Sequence, residues 1–466
     1  MDPVKYDRMS ALEIRAALSL SSLFALRMLG LFLILPVFAV HARTIRGGED
    51  LLLVGIALGI YGLTQGILQI PFGMASDRYG RKRVIVFGLV LFVIGSLVAA
   101  WADDIWIVIL GRAIQGTGAI SAAVVAFAAD LTRDQHRTKT MALIGGSIAL
   151  MFALSLVAAP AMYRAIGMNG IFIFIAVLAA VAILWTLYVV PPEPDAARDL
   201  SRRVKAGALA EIMRNPELLR LNFGIFVLHM AQMSLFLVVP LALVNEGGMP
   251  VVEHWKVYLP VVLVSFVLMV PPIMLAERHG RMKSMFIGAV VMLLAVHAGF
   301  ALAYRDFWML VVLLTLFFTA FNVLEAALPS LVTRLAPAHA RGTAIGVYNT
   351  TQALGLFVGP WIGGWIGKNW GVPQVFVFGI VLFALWVVVA WPMRAPGDLE
   401  RRSFPLGTAA DPVALREGLA RLRGVRDVTV LPEEGVARLT FYRGMLDEQA
   451  VVKLVAGEAL LSPDNI

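Results

Sequence analysis

Glu325 stands in the run Phe321-Asn322-Val-Leu-Glu325-Ala-Ala-Leu-Pro329, with long apolar sequence on either side. Asn322 lies three residues earlier, so on a helix the amide and the carboxyl share one face. Desolvation favours the neutral form of a carboxyl, so an acid in such a place is suited to taking up and releasing a proton. The competing reading pairs Glu325 with a basic residue near the end of its helix, Arg334 or Arg341. Arg27 and Arg112 also sit inside apolar runs, where a guanidinium must face a protein interior or a wet cavity and find a partner. A carbonyl or a helix end is the plainer partner for either, and no acid lies at the same depth on either segment. His229 with Gln232, and Gln65 with Gln69, are polar pairs at helical spacing that either line a cavity or hydrogen-bond between helices. His297, alone in an apolar run, reads as a packed histidine.

A second cluster is Gly73-Met-Ala-Ser-Asp77-Arg78-Tyr-Gly80-Arg81-Lys82-Arg83, one acid, four bases and two glycines between two apolar runs. Gly73 suits a close approach of two helices and Gly80 a tight turn, while Asp77 near a helix end accepts hydrogen bonds or lies against a neighbouring helix N-terminus. A plain basic loop at a membrane surface is the simpler reading of the charges alone.

The elements that position these residues follow from composition. The 466 residues are 59% hydrophobic and only 15% charged, far more apolar than a soluble chain of this length. Apolar runs occupy 17–41, 52–75, 84–101, 106–129, 139–161, 170–190, 219–245, 255–276, 285–304, 307–331, 343–367 and 375–392, each about the length that spans a hydrocarbon core as a helix. Twelve spans put both ends of the membrane region on one side. Lys5, Arg8, Arg15, the 78–83 cluster, Arg133, Arg137, the 198–205 run, Arg278, Arg281, Lys283, Arg334, Arg341, Arg394, Arg401 and Arg402 share that side, which is expected to be cytoplasmic. The net charge of +8 is therefore read as orientation in a bilayer, not nucleic-acid binding. The first run is too long for a signal peptide and carries Arg27 in its middle, so it is read as a retained helix. With no cysteine, disulfides, thiolate metal sites and thiol catalysis are excluded together.

The loop Glu277-Arg278-His-Gly280-Arg281-Met-Lys283 repeats the 77–82 pattern about 200 residues later, again after two spans. The chain thus reads as a duplicated six-helix unit, a transporter architecture with its site between the halves near the midplane. The expected boundaries are a first bundle over 1–190, a cytoplasmic linker over 191–217 with a short surface helix near 206–213, a second bundle over 218–395, and a small domain over 396–466.

Three stretches resemble signatures of the major facilitator superfamily in order: Leu29-Gly30 to Leu35-Pro36-Val37, the 73–83 loop, and Leu110-Gly-Arg112-Ala-Ile-Gln115-Gly116-Thr-Gly118. With the small C-terminal domain, and with Phe24-Ala-Leu-Arg27-Met-Leu-Gly30 and Ile60-Tyr-Gly-Leu-Thr-Gln65, the chain is similar to the YajR-like branch of its proton-coupled drug antiporters. The resemblance implies an alternating-access carrier in a bacterial inner membrane, with no particular substrate. It also implies that Arg81 pairs with Asp130, and that the loop forms a conformational latch of Gly73, Asp77, Arg78, Gly80, Arg81, Lys82 and Asp130 whose contacts form when the cytoplasmic side closes. Gly355-Leu-Phe-Val-Gly359-Pro360-Trp-Ile-Gly363-Gly364 has the form of the family's antiporter signature but stands in the eleventh span, not the fifth. There the chain has Gly145-Gly146 and Ala159-Pro160 instead. Its small-residue spacing suits tight helix packing.

After the last span the composition turns soluble. Asp411 to Arg423 and Asp447 to Ala456 read as helices and 425–431 and 436–442 as paired strands around Pro432 to Gly435, with no clear first strand. The run Leu419 to Val430 resembles small ferredoxin-like metal-carrier domains, whose metal site needs two thiolates that this chain lacks. The remaining roles are regulation, contact with the cytoplasmic loops, or pairing with a second copy. Sheet-based RNA binding lacks the exposed aromatic pair it would need. No phosphate-binding loop and no nucleophile with a base at usable spacing is present, so neither an enzyme nor an ATP-driven pump is expected, and no cofactor. The sequence therefore points to an all-α membrane protein of twelve helices in two six-helix repeats with an α+β ferredoxin-like appendage. The expected function is proton-coupled efflux of small amphipathic compounds, with small-molecule substrate, protons and lipid as partners. The alternatives are a proton symporter importing a sugar or other metabolite, and a transporter-derived sensor.

Overall fold

The computed structural model describes residues 9–193, 208–279, 281–337, 340–393, 399–406, 412–431, 435–442 and 446–456. The first half consists of α1 (Ala11–Phe32), α2 (Leu35–His41), α3 (Leu51–Tyr79), α4 (Arg81–Ala100), α5 (Ile105–Thr117), α6 (Ser121–Asp130) and α7 (Asp134–Tyr188). A short α8 (Ala208–Arg214) precedes the second half, which holds α9 (Pro216–Asn245), α10 (Trp255–His279), α11 (Met282–Ala303), α12 (Phe307–Leu335), α13 (Arg341–Trp370) and α14 (Val372–Ala390).

These elements make twelve spans, as the apolar runs require. Among the described residues, ten helical stretches are long and apolar enough to cross a bilayer. One of them is really two, because α7 breaks at Gly167, whose φ of +66° an L side chain rarely adopts. The twelfth is α13, which is richer in glycine and less apolar than its neighbours. Two spans are interrupted: the first between α1 and α2, just before Pro36, and the fourth at Gly118 to Ile120, between α5 and α6. Helix starts are set by Asx residues whose side chains accept otherwise orphaned amides: Asp50 takes Leu52 N, Asp104 takes Trp106 N, Asn215 takes Glu217 N, and Asp306 takes Met309 N.

The halves meet along a seam between α3 and α13. A Cβ on Gly59 would lie 2.8 Å from the Phe357 carbonyl oxygen, and one on Gly62 would lie 2.6 Å from that of Ala353. Gly55 approaches Pro360 more closely still. On its other face α13 packs against α9, with Gly355 over Phe226, Gly359 over Met230 and Gly363 over Ser234. Small residues on both faces let three backbones approach to near contact. Ser234 Oγ locks the second face by donating to the Gly359 carbonyl at 2.8 Å. At the end of the molecule away from the 73–83 loop, Lys368 Nζ reaches Asp50 at 2.7 Å and Arg43 donates to Asn245 at 3.1 Å, both across the halves. Toward the loop end the seam runs out after Gly66, which faces Ala353. A Cβ on Gly346, one turn further along α13 than Thr350, meets no described atom within 4 Å.

The C-terminal unit is compact in itself. Strands β1 (Leu399–Pro405), β2 (Val425–Leu431) and β3 (Val436–Tyr442) form an antiparallel sheet in the order β1-β3-β2, with α15 (Pro412–Ala420) and α16 (Glu448–Ala456) packed on it. Leu415, Leu419, Val428, Leu439, Phe441, Val451 and Val455 are its core. The expected absence of a first strand is corrected: β1 pairs with β3 over its whole length, Leu399 opposite Tyr442 to Pro405 opposite Val436. Its sequence Leu-Glu-Arg-Arg-Ser-Phe-Pro carries too few apolar residues to announce a strand, and its edge position explains why it needs no more. The expected turn at 432–434 and the linker residues 194–207 lie outside the described residues.

Candidate functional site

Glu325 projects from α12 toward α9 and α13. Gln352 Nε2 donates to Glu325 Oε1 at 3.5 Å and to His229 Nε2 at 2.8 Å, and His229 Nε2 lies 3.7 Å from Glu325 Oε2. His229 Nδ1 donates to the Ile225 carbonyl at 3.2 Å. The Glu325 side chain as a whole is about one-third exposed and His229 is buried, but Glu325 Oε2 is itself buried and has no hydrogen-bond partner among the described residues. The described contacts of Glu325 do not include Arg334, and the Arg341 side chain lies outside the described residues; Glu325 instead joins a polar cluster beside Phe321, whose ring centroid is 5.8 Å from that of His229. Across the halves, Phe152 of α7 packs on Phe236, Phe318 and Phe321. Asn322 does not join Glu325. Its amide donates to Ser265 Oγ of α10 at 3.3 Å, because three residues fall about 60° short of a full helical turn and set it to one side of Glu325. Gln232 is buried in α9, and the hydrogen bonds of His229 run to Gln352 of α13 and to its own helix backbone, not to Gln232.

In the first half, Arg27 donates to Ser121 Oγ at 2.6 Å and to the Tyr61 hydroxyl at 2.5 Å, with a longer contact to the Gly118 carbonyl. The break between α5 and α6 turns the Gly118 carbonyl, which also accepts from Ile120 N at 2.8 Å, toward Arg27, and Ser121 opens α6, as irregular backbone at membrane depth must be satisfied from within the protein. Arg112 donates to Gln115 Oε1 at 2.9 Å and to the carbonyls of Ala57 and Leu58, and its guanidinium lies 5.1 Å from the Tyr61 ring centre. Both arginines are almost fully buried, so neither faces an open cavity; the partners are hydroxyl, amide, carbonyl and aromatic groups. Gln65 shares Ser121 at 3.5 Å, and Gln69 is buried close to the point where the seam runs out. His297 is packed as expected of it, with its ring 4.8 Å from that of Phe383.

The loop cluster is built inside the first half. Arg81 binds Asp77, donates from Nε to Asp130 Oδ2 at 2.9 Å and from Nη1 to Ser76 Oγ at 2.7 Å. Lys82 N donates to Glu193 Oε1 at 2.7 Å and Lys82 Nζ to the Val190 carbonyl at 2.6 Å. Gly80 turns the chain with φ +100°. Two expectations are corrected here. Arg78 is exposed and stacks on Tyr79, outside the network. A Cβ on Gly73 would touch only Ala122 at an ordinary 3.6 Å, so no close approach requires this glycine. The Arg81 contacts to Asp77, Asp130 and Ser76 are all formed in this structure. Sequence reasoning missed Glu193, Gln352, Tyr61 and Ser121, and also a clamp in which Arg133 donates to Glu13 from its backbone N at 3.0 Å and from Nε at 2.9 Å. Glu13 is the third residue of a helix capped by Ser10, a recognisable capping box, and that signal was available.

A family model described as the Major Facilitator Superfamily matches residues 20–274 and 261–442. The chain belongs to the Major Facilitator Superfamily. It is 43% identical to the inner membrane transport protein YajR of Escherichia coli K12 over 429 residues, covering 92% of this chain and 94% of that protein. It is 34% identical to the uncharacterized transporter BU466 of Buchnera aphidicola, over 75% of this chain and 90% of that one. It is 25% identical to the multidrug resistance protein MdtH of Yersinia enterocolitica, over 78% and 90%. Among solved structures it resembles in fold the human organic anion transporter MFSD10 (TM-score 0.62, 18% identity, 82% of this chain, all of that one). A bacterial homologue of the human lysosomal transporter Spinster, inward-facing and occupied, superposes with TM-score 0.65 at 13% identity, over 82% of this chain and 97% of that one. As a superfamily member the chain is a multi-pass secondary transporter of small molecules and not an enzyme. In this family setting the α3 to α13 seam is an interface between two six-helix repeats, and Glu325, His229 and Gln352 lie on the second of them.

Proposed function

We propose that the chain exports small amphipathic compounds in exchange for protons by alternating access, with Glu325 as the proton-carrying group. The observation that carries this reading is the carboxyl oxygen Oε2 of Glu325, buried and unpartnered among the described residues, with the imidazole of His229 within reach. An ionised carboxylate left in such a place is costly, so release and uptake of a proton change its preferred surroundings. The similarity to MdtH, a multidrug resistance protein by name, supports the export direction. The basic loops support an inner-membrane orientation with both termini in the cytoplasm and the 73–83 loop facing it. With that orientation the parted seam opens toward the cytoplasm and the Asp50–Lys368 end is shut toward the outside. The domain boundaries at about residues 190, 217 and 395 belong to the same reading, as does a regulatory or contact role for the C-terminal unit.

The test uses vesicles with an acid interior and cationic or neutral compounds added outside, with lumenal pH followed for the wild type and Glu325→Gln. Lumenal alkalinisation that the substitution abolishes is expected. Compound entering with no proton leaving would overturn antiport in favour of symport or uncoupled transport.

A further inference from the structure

Gln352 bonds to both members of the Glu325–His229 pair, and the geometry of all three is restrictive. His229 Nδ1 faces a backbone carbonyl, which only an N–H satisfies, so Nδ1 carries a proton and Nε2 of the neutral ring holds the lone pair. That lone pair accepts from the Gln352 amide at 2.8 Å, and the amide's other hydrogen points to Glu325 Oε1. One proton therefore has two resting places. It sits on Glu325 with His229 neutral, or on His229 Nε2 with Glu325 ionised. Moving between them breaks one O–H bond and forms one N–H bond, with no further reactant. In the second state Nε2 no longer accepts, and the Gln352 amide must turn its oxygen toward the ring or withdraw.

Where Gln352 sits gives that rearrangement a route. It is on α13, one residue before Ala353, which packs against Gly62 and Gly66 in the seam. One turn earlier on the same helix is Tyr348, buried, with a hydroxyl that has no partner among the described residues and that lies within electrostatic range of Glu325. Among the described residues, the titratable groups facing Glu325 are thus His229 from α9 and Tyr348 from α13.

We propose that Gln352 is the positioning residue that reads which of Glu325 and His229 holds the proton and passes this to the α3 to α13 seam. This rests on Glu325 being the proton carrier. The chain has no cysteine, so a single Gly346→Cys, placed where the seam has parted, reports the opening of this end by maleimide labelling in proteoliposomes of the full chain. Acidifying the bath is expected to change the labelling rate about tenfold, within the usual range of coupling between two sites. Gln352→Met, which keeps the volume and removes the amide, is expected to abolish that pH response and to lower compound-linked proton movement about tenfold. Downhill passage of compound should persist. Gln352→Asn, too short to bridge both partners, should do the same if the methionine variant fails to fold. Glu325→Gln run in parallel separates the two ideas. If it abolishes proton movement while Gln352→Met and Gln352→Asn keep a wild-type pH response, the role of Gln352 is overturned and the carrier role of Glu325 stands. If Glu325→Gln still moves protons, both fall.

Discussion

Asp50 binds Lys368 across the two halves while capping its own helix: Oδ2 receives Lys368 Nζ at 2.7 Å and Oδ1 accepts the Leu52 amide at 3.0 Å. One carboxylate thus fixes the start of α3 and the end of α13 at the same point, and the glycine seam begins there with Gly364 against Leu51.

Both side chains of this pair are partly exposed, so its coupling is expected to be small, about 0.2–1 kcal/mol in a double-mutant cycle of Asp50→Ala and Lys368→Ala. Its effect on conformation is the sensitive readout. Asp50→Asn, which keeps the cap, should slow labelling of Gly346→Cys a few-fold by relaxing the shut end, as a change of under about 1.4 kcal/mol shifts an equilibrium by less than tenfold. Labelling unchanged by either single substitution would remove the pair as a gate.

The seam itself should tolerate nothing larger than glycine. Gly59→Val forces a side chain into the Phe357 backbone, and overpacking of this kind costs about 1–3 kcal/mol or more. Gly346→Val, in open space on the same helix line, should leave the thermal transition of the purified protein where it was. Equal effects of the two would show that α3 and α13 do not pack as described.

At the loop end, Arg81→Ala leaves Asp77 and Asp130 without their shared cation. Breaking such a largely buried network costs about 3 kcal/mol before allowing for the partial exposure of the acids, which lowers it. Arg78→Ala, on an exposed side chain, should cost little. Thermal unfolding of the two variants side by side tests the division. Asp77→Asn tests the cluster as a conformational latch: slowed transport with little change in substrate affinity is expected, and unchanged turnover would remove the latch.

Leu439 lies in the middle of β3 with no exposed surface, and Leu439→Ala should cost the C-terminal unit about 2–5 kcal/mol. Proteolysis within 399–456 of the full chain should accelerate, while membrane insertion and the transition of the helical region persist. Loss of insertion would mean that the unit does not fold on its own core.

Much of the fold was legible because a bilayer demands long apolar helices, and their ends are written in Asx caps and basic loops. Among the described residues, eleven of the twelve expected spans announce themselves by length and apolarity, counting the two that α7 merges; α13, read from its apolar run over 343–367, is the weakest because it is the richest in glycine. What the one-dimensional pattern hid were the interruptions at Leu33 and Gly118, and the strand β1, because neither a local loss of helical backbone nor an edge strand needs a strong composition signal.

The site was legible as residue types and illegible as partnerships. The sequence by itself determined that Glu325, Arg27 and Arg112 are charges at membrane depth, since apolar runs surround each one. Only the tertiary structure decided that both arginines are satisfied by neutral groups around Tyr61 and Ser121, that Asn322 turns to Ser265, and that Glu325 meets His229 through Gln352. The physical reason is that membrane depth is a property of one helix and its solvent, fixed by local composition. A hydrogen-bond partner depends on the rotation and crossing of several helices brought together from residues more than a hundred positions apart.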